Sequence, residues 1–222
     1  MSRKGSAEPD QRQGGPVRRS LQVERSHAEA QTVTPTKAAD LTKRDWLIAG
    51  RKRLAQGGLK ALRLRTLTTD LGVSTGSFYH HFADVRAYEN ALAEYISGEH
   101  VAGVLAEADQ SPTPMGKIES LVAIAARDSL SALALAMRAW ADSDESARIA
   151  VRRHDAVVLE YLTHVLLQMD FPAEEARVRA YALAAVGLGS IEGTNGLTRD
   201  QLKRGLLNLL CGRARCSSAI KD

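Results

Sequence analysis

The sequence predicts an all-α protein made of two helical parts, and three observations support this. Apolar residues recur at spacings of three and four from Asp84 to Cys211 almost without interruption, which is the period of an amphipathic helix. Aromatic residues make up only 5% of the chain while Ala and Leu dominate its second half, a bias that suits closely packed helices. Apolar residues amount to 44% of the chain, which is enough to bury a sizeable core.

The two ends of the chain are predicted to be flexible. Residues 1–40 are rich in Arg, Gln, Ser, Thr, Gly and Pro and show almost no apolar periodicity, so burial would not offset the entropy lost on ordering them. We interpret this segment as a disordered basic tail, and residues 213–222 as a flexible C-terminal tail. The folded part then divides into a domain at residues 41–88 and a helical domain at residues 89–212.

The first helix is predicted to begin near residue 42 and to end at a pair of glycines. Asp40 or Thr42 can serve as its N-cap by accepting hydrogen bonds from the free N–H groups of the first turn. Gly57 and Gly58 then interrupt the helical pattern. The apolar side of this helix is formed by residues at helical spacing, namely Trp46, Leu47, Gly50 and Leu54.

A helix-turn-helix follows the first helix. Its first helix covers residues 65–71 and ends at Gly72, which is suited to a left-handed C-cap. Val73 is expected to be a buried turn residue. Ser74 is expected to cap the second helix of the motif, at residues 75–82, through its side-chain oxygen.

The rest of the chain is predicted to be helical. Asp84 can cap a helix that continues through Ile96, and a Ser- and Pro-containing loop at residues 111–114 separates it from the next helix. The remaining helices are predicted at residues 115–126, 130–141, 144–169, 173–192 and 199–211.

Charge is unevenly distributed along the chain. The formal net charge is only +4, which by itself argues weakly for binding to nucleic acid. The charged residues in the second half of the chain, which include Arg138 and Asp155, are predicted to form solvated helix faces with i,i+4 ion pairs. Between positions 43 and 65, however, Asp45 is the single acidic residue facing a cluster of basic residues, namely Lys43, Arg44, Arg51, Lys52, Arg53, Lys60, Arg63 and Arg65.

Several classes of site are not supported by the sequence. Cys211 and Cys216 have no further Cys or His around them, which is not a zinc-binding pattern. The N-terminal 40 residues lack the apolar segment of a secretory signal, and no stretch reaches the roughly 18 apolar residues of a membrane helix. We therefore expect a cytoplasmic protein with no membrane contact, no metal and no cofactor.

An enzymatic function is not expected. The sequence contains no H-E-x-x-H, no G-x-S-x-G and no Gly-rich phosphate loop. The alternative is an enzyme built on the helical bundle, which would have to bring His100, His154 and His164 together with acidic residues.

The segment G-V-S-T-G-S-F-Y-H-H-F at residues 72–82 resembles the DNA-binding domain of the TetR family of transcriptional regulators. In such a motif the second helix lies in the major groove with its N-terminal turn against the base edges. The resemblance implies that Thr75 and Gly76, which are small enough to permit that approach, read the bases. It also implies phosphate contacts, which set the register of a protein on DNA, for Ser77, Tyr79, His80 and His81.

The resemblance extends to the residues before and within the motif. Arg65 matches a family position that contacts DNA, and its guanidinium can reach either a guanine edge or a phosphate. Phe78 and Phe82 are expected to fill the small core together with the apolar residues of the preceding helix. The alternative for Tyr79 and the two neighbouring histidines is that they are ordinary residues of a short amphipathic helix.

The sequence departs from the family pattern at three positions. Arg63 stands where the family usually has a Ser or Thr helix cap, so that helix begins less firmly. Arg51 replaces an apolar residue and must either extend its charged end to solvent or join the DNA-facing surface. Val85 replaces a usual lysine, whose phosphate contact Arg86 could restore.

The resemblance further implies a homodimer and a small-molecule effector. The predicted helices at residues 173–192 and 199–211 would form the dimer interface; the alternative is that they pack within one monomer. The effector would bind inside the C-terminal bundle and lower the affinity for DNA. Candidate pocket residues, which could equally be ordinary core residues, are Met137, Trp140, Tyr161, His164 and Tyr181.

Together these expectations describe a dimeric, ligand-responsive repressor that binds a palindromic double-stranded DNA operator and is released by a small molecule. A transcriptional activator, or a regulator without a ligand, remains an alternative on the same fold.

Overall fold

The computed structural model describes residues 41–188, 196 and 198–212, apart from the side chains of residues 199 and 200. The predicted tails at residues 1–40 and 213–222, and the last part of the predicted helix 173–192, lie outside the described residues. Within the described part of the chain the regular structure is helical and contains no strand, which confirms the all-α prediction.

The described helices follow one another in a simple order. A 3₁₀ turn at Leu59–Ala61 lies between the first two, and a π-helical turn at Ile96–His100 lies between the fourth and fifth. The α-helices are α1 (Lys43–Gly57), α2 (Leu64–Leu71), α3 (Thr75–His81), α4 (Val85–Tyr95), α5 (Val101–Ala108), α6 (Pro114–Arg127), α7 (Leu130–Ala141), α8 (Glu145–Leu167), α9 (Ala173–Leu188) and α10 (Arg199–Cys211).

Helix α1 has the predicted start, end and buried face. Thr42 is the N-cap and forms a capping box with Asp45, whose carboxylate accepts the Thr42 N–H at 2.8 Å. At the other end Gly58 adopts a φ of 65°, a backbone conformation that residues with a side chain rarely take. The buried residues are those that the helical spacing predicted: Trp46, Leu47, Gly50 and Leu54.

The turn between α2 and α3 depends on a glycine. Gly72 is left-handed, with φ 67° and ψ 32°, and the N–H of Val73 donates to the carbonyl of Thr68 at 3.0 Å. Two expectations need correction: Val73 is half-buried, and the Ser74 side chain makes no capping hydrogen bond. Instead the Ser74 carbonyl accepts the N–H of Ser77 at 3.1 Å, and because this turn is exposed, water can satisfy its other N–H groups.

A single helical run leads from the helix-turn-helix into the bundle. Asp84 caps α4 by accepting the N–H of Ala87 at 2.7 Å, as predicted. The helix then passes through the π-turn into α5 without a break, and of these features the π-turn was not predicted from the sequence. Within the π-turn, the hydroxyl of Ser97 donates to the carbonyl of Ala93 at 3.0 Å, a local contact that often bends helices.

One core connects the N-terminal helices with the bundle. Trp46, Phe78 and Tyr88 lie in the same buried cluster as Met137 and Trp140 of α7. The hydroxyl of Tyr88 donates to the carbonyl of Trp46 at 3.1 Å. Helix α1 packs against α2, α4 and α7, so its position depends on both parts of the chain.

A second core holds the bundle together. Helix α8 packs against α4, α7 and α9, and its inner face joins α6 and α9 around Ile118, Leu166 and Phe171. Arg179 of α9 stacks over the Phe171 ring and donates to the carbonyl of Leu210 at 2.7 Å, which ties α10 to α9. Among the described helices none is both long and apolar enough to cross a membrane by itself, although the sharply bent pair α6–α7 meets the length and composition criteria jointly.

Candidate functional site

Helix α3 is held in place by aromatic packing on its inner face. Phe78 is 1% exposed and meets the Trp46 ring edge-on, with ring centroids 5.3 Å apart. It also contacts Phe82 and Tyr88, at 5.2 and 5.5 Å between centroids. Phe82 is 3% exposed, so the prediction that both phenylalanines belong to the core is confirmed. This packing fixes a helix too short to be stable alone.

The outer face of α3 carries the predicted DNA-contacting residues. Ser77 and His81, four residues apart, are half-buried on the flanks. Tyr79 is 54% exposed, but its ring packs edge-on against Phe78 at 5.4 Å, which restrains it. Because positions i, i+1, i+4 and i+5 of a helix share a side, the exposed residues form one continuous surface: Thr75, Gly76, Tyr79 and His80.

Gly76 has no structural need to be a glycine. Its φ is not positive, and a Cβ built at this position would meet only the Ser74 hydroxyl oxygen at 3.6 Å, an ordinary contact. A small residue at this point therefore leaves room for something outside the chain.

Some side chains of the predicted basic cluster form ion pairs within the described part of the chain, and others do not. Arg44 pairs with Glu99 of the π-turn, and Arg53 forms a bidentate ion pair with Asp70 of α2. The hydrogen bonds from Arg53 hold the pKa of Asp70 below its usual range. Among the described residues, no carboxylate pairs with the remaining exposed cations, which are Lys43, Lys52, Lys60, Arg63 and Arg65.

Arg86, which could restore the phosphate contact of the lysine that Val85 replaces, forms an ion pair with the bundle. It pairs with Asp144, the N-cap of α8, which is 6% exposed and also accepts the N–H of Ala147 at 2.8 Å. Burial alone would raise the pKa of Asp144, but the hydrogen bonds from Ala147 and Arg86 outweigh it and the pKa lies below its ordinary value. This contact links α4 to α8.

Arg51 of α1 is half-buried. Its Nε and the Nε2 of His100 are both buried without a hydrogen-bond partner among the described residues. His100 stacks on Tyr95 with centroids 6.1 Å apart. Burial and the positive charge of Arg51 lower the pKa of His100 to about 4, although the negative charge of Asp128 acts in the opposite direction.

A cavity of about 460 Å³ lies within the bundle, lined by residues of α5, α6, α7, α8 and α9. Of the candidate pocket residues, Tyr181 lines it. Met137 and Trp140 do not, because they fill the core beneath α1. Tyr161 packs in the bundle with its hydroxyl buried, and His164 is exposed and hydrogen-bonds to Gln168 at 3.0 Å.

The polar part of this cavity was not predicted from the sequence. Arg138 and Asp155, predicted on solvated faces, lie on the cavity wall and pair with each other from α7 and α8. His154 also lines the cavity, whereas His164 is ten residues further along α8, about 15 Å away by helical rise. In the described part of the chain, no group of three or more His, Cys, Asp or Glu side chains is placed to hold a metal ion.

Solved structures of transcriptional regulators have a similar fold. A TetR-family transcriptional regulator from Agrobacterium tumefaciens matches with a TM-score of 0.59 at 18% identity, over 74% of this chain and 95% of that chain. A TetR transcriptional regulator from Legionella pneumophila matches with a TM-score of 0.59 at 17% identity, over 77% and 95%. The transcriptional regulator FadR from Bacillus subtilis, in complex with stearoyl-CoA, matches with a TM-score of 0.54 at 15% identity, over 78% and 100%.

No protein-family model and no curated protein matches the sequence. The structural neighbours nevertheless define the class of architecture, an all-α chain with an N-terminal helix-turn-helix and a C-terminal helical bundle. That architecture is the TetR fold, the one that residues 72–82 predicted.

Proposed function

We propose that the protein is a DNA-binding transcriptional regulator that acts as a dimer, most simply as a repressor released by a small molecule. The observation that carries the proposal is the outer face of α3. Thr75, Gly76, Tyr79 and His80 are exposed there and lie outside the buried cluster, while the inner face anchors the helix through Phe78. A rigid helix with an open, small-residue first turn is the geometry that major-groove reading requires.

The residues of the helix-turn-helix have distinct proposed roles. Thr75 and Gly76 lie in the first turn of α3 and would address base edges, with the Thr75 methyl available to a thymine methyl. Arg65, exposed in the first turn of α2, would reach a phosphate or a guanine edge. Phosphate contacts are proposed for the remaining polar residues of α3, which are Ser77, Tyr79, His80 and His81.

Dimerisation through α9 and α10 is the second part of the proposal. Val178 and Tyr181 of α9 are 65% and 68% exposed, and Leu209 of α10 is 71% exposed. Large apolar side chains at this level of exposure favour a partner surface. A second copy of the chain fits the need for two helix-turn-helix motifs about 34–36 Å apart on DNA.

Release by a ligand is the third part. The run from α4 through α5 connects the helix-turn-helix to the cavity, because Val101, Val104 and Leu105 of α5 line the cavity wall. A ligand that prefers one position of this run would change the spacing of the two motifs, and a coupling of about 1–3 kcal/mol is typical of such regulators. The stearoyl-CoA complex of FadR supports an effector on this fold.

The experiment is selection of bound duplexes from a random pool, followed by titration of the selected sequence. We expect a palindromic site, and we expect Tyr79→Ala to weaken binding to every sequence by about tenfold or more, because one phosphate contact worth about 1 kcal/mol is lost in each protomer. Gly103→Ala is the control, since Gly103 is exposed on α5 and has open space around it.

Failure to enrich any sequence over random duplex would contradict the proposal. A reporter gene carrying the selected site then distinguishes repression from activation.

A further inference from the structure

We infer that the bundle cavity binds an electrically neutral, largely apolar molecule whose single hydrogen-bonding group lies against the Arg138–Asp155 pair. This names the chemical class of the effector, and so its regulatory meaning rests on the proposed function.

The shape and lining of the cavity favour an apolar body. At about 460 Å³ it falls within the range of about 300–1,000 Å³ for small-molecule sites. Leu121 of α6 and Leu159 and Leu162 of α8 line it, and most of the other lining side chains are Val, Leu or Ala. An apolar ligand would gain from leaving water, whereas an extended polar ligand would find few partners here.

The charged groups of the wall neutralise each other. One guanidinium nitrogen of Arg138, Nη2, donates to both carboxylate oxygens of Asp155 at 2.8 Å. Nη1 lies 3.4 Å from the carbonyl of Ala134, and Nδ1 of His154 lies 3.3 Å from the Asp155 carboxylate. The hydroxyl of Ser131 donates its hydrogen to the carbonyl of Gly187 at 2.6 Å and therefore offers a ligand only an acceptor.

This arrangement discriminates against charged ligands. The pair carries no net charge, so neither an anion nor a cation would gain an unpaired opposite charge here to offset the hydration it loses, and an anion at Arg138 would lie close to the Asp155 carboxylate. A hydroxyl or carbonyl avoids this cost, since a guanidinium carries five N–H donors and a carboxylate several acceptor positions. Both side chains are about one-third exposed, so the discrimination is moderate.

The test uses three probes with the same ten-carbon chain and different ends: 1-decanol, decanoate and decylamine. Their binding to the full chain is measured without DNA, by displacement of the neutral fluorophore N-phenyl-1-naphthylamine and by titration calorimetry. We expect 1-decanol to bind about tenfold more tightly than either charged probe. Equal or tighter binding of decanoate or decylamine, or no binding of 1-decanol by either method, would overturn the inference.

Two variants test the role of the pair. Asp155→Asn leaves Arg138 uncompensated and should improve decanoate binding about tenfold relative to 1-decanol, whereas Arg138→Gln should do the same for decylamine. Glu145→Gln is the control, because Glu145 pairs with Arg148 on an exposed part of α8 that does not line the cavity.

Circular dichroism and thermal melting establish whether each variant is folded. If Arg138→Gln does not fold, Asp155→Asn alone tests the role of the pair. An unchanged order of probe affinities in folded Asp155→Asn would refute the role of the pair. The probe measurements need no operator DNA. If the protein binds DNA selectively but shows no preference for 1-decanol, this inference alone is refuted. If it prefers 1-decanol but does not select any DNA sequence, only the proposed function is refuted.

Discussion

The contact between α1 and α4 gives the sharpest stability prediction. Gly50 lies on the buried face of α1, where a Cβ would stand 1.8 Å from the hydroxyl oxygen of Tyr88, 3.0 Å from its Cζ and 3.2 Å from Cδ2 of Leu92. The Tyr88 ring is 1% exposed and its hydroxyl is bonded to the carbonyl of Trp46. Gly50→Ala therefore forces a buried ring to move.

The expected change in the free energy of unfolding combines one stabilising and two destabilising effects. Replacing glycine by alanine within a helix ordinarily stabilises it by about 0.5–1 kcal/mol. Overpacking a filled core costs about 1–3 kcal/mol, and displacing the Tyr88 hydroxyl from its acceptor costs about 1 kcal/mol more. We expect Gly50→Ala to lower the free energy of unfolding by about 1–3 kcal/mol.

Urea denaturation followed by circular dichroism measures this free energy. Gly103→Ala, with nothing within 4 Å of its added Cβ, should be neutral or stabilising. Tyr88→Phe removes the oxygen at 1.8 Å, so the double variant with Gly50→Ala should be more stable than the sum of the two single changes by about 1 kcal/mol or more. Unaltered stability of Gly50→Ala, or strictly additive effects, would refute the proposed contact.

Three further predictions follow from the charges and surfaces. Because the pKa of His100 is lowered to about 4, the folded protein favours its neutral form, and the free energy of unfolding should fall as the pH drops from about 6.5 towards 4. His100→Gln should remove about 1–2 kcal/mol of that loss, as measured by denaturation across this pH range, and a variant with the same pH profile as the parent would contradict the prediction. Asp144→Ala removes a helix cap and a partly buried ion pair and should lower the free energy of unfolding by about 1–3 kcal/mol, whereas Glu145→Ala, on the exposed side, should change it by less than about 0.5 kcal/mol. Val178→Asp should shift sedimentation towards the monomer without changing helicity, and an unchanged dimer would exclude this part of α9 from the interface.

Local signals in the sequence were sufficient for most helix boundaries. Gly72 could be placed because a left-handed C-cap depends on one residue type, and Thr42 and Asp84 because their side chains cap their own helices. The buried positions of Phe78 and Phe82 followed from helical spacing. These are interactions between residues close in the chain.

The features that sequence reasoning missed depend on residues far apart in the chain. Arg138 and Asp155 are paired because α7 and α8 pack together, and the sequence shows them only as two of many charged residues. The Nε of Arg51 is buried without a hydrogen-bond partner among the described residues, which its position on an amphipathic helix does not reveal. The cavity itself is a gap left by the packing of α5 to α9, so its lining could not be read from large amphipathic side chains.

The most direct test of the DNA-reading role is to repeat the random-duplex selection with Gly76→Ala. The structure leaves room for this methyl group, so the variant should be at least as stable as the parent protein, and any loss of DNA binding would come from the contact of the added Cβ with DNA. We predict a changed base preference within each half-site, or loss of the selected site, with a melting temperature equal to or above that of the parent. The same selected sequence bound with the same affinity by Gly76→Ala and by the parent would contradict the claim that the first turn of α3 reads DNA.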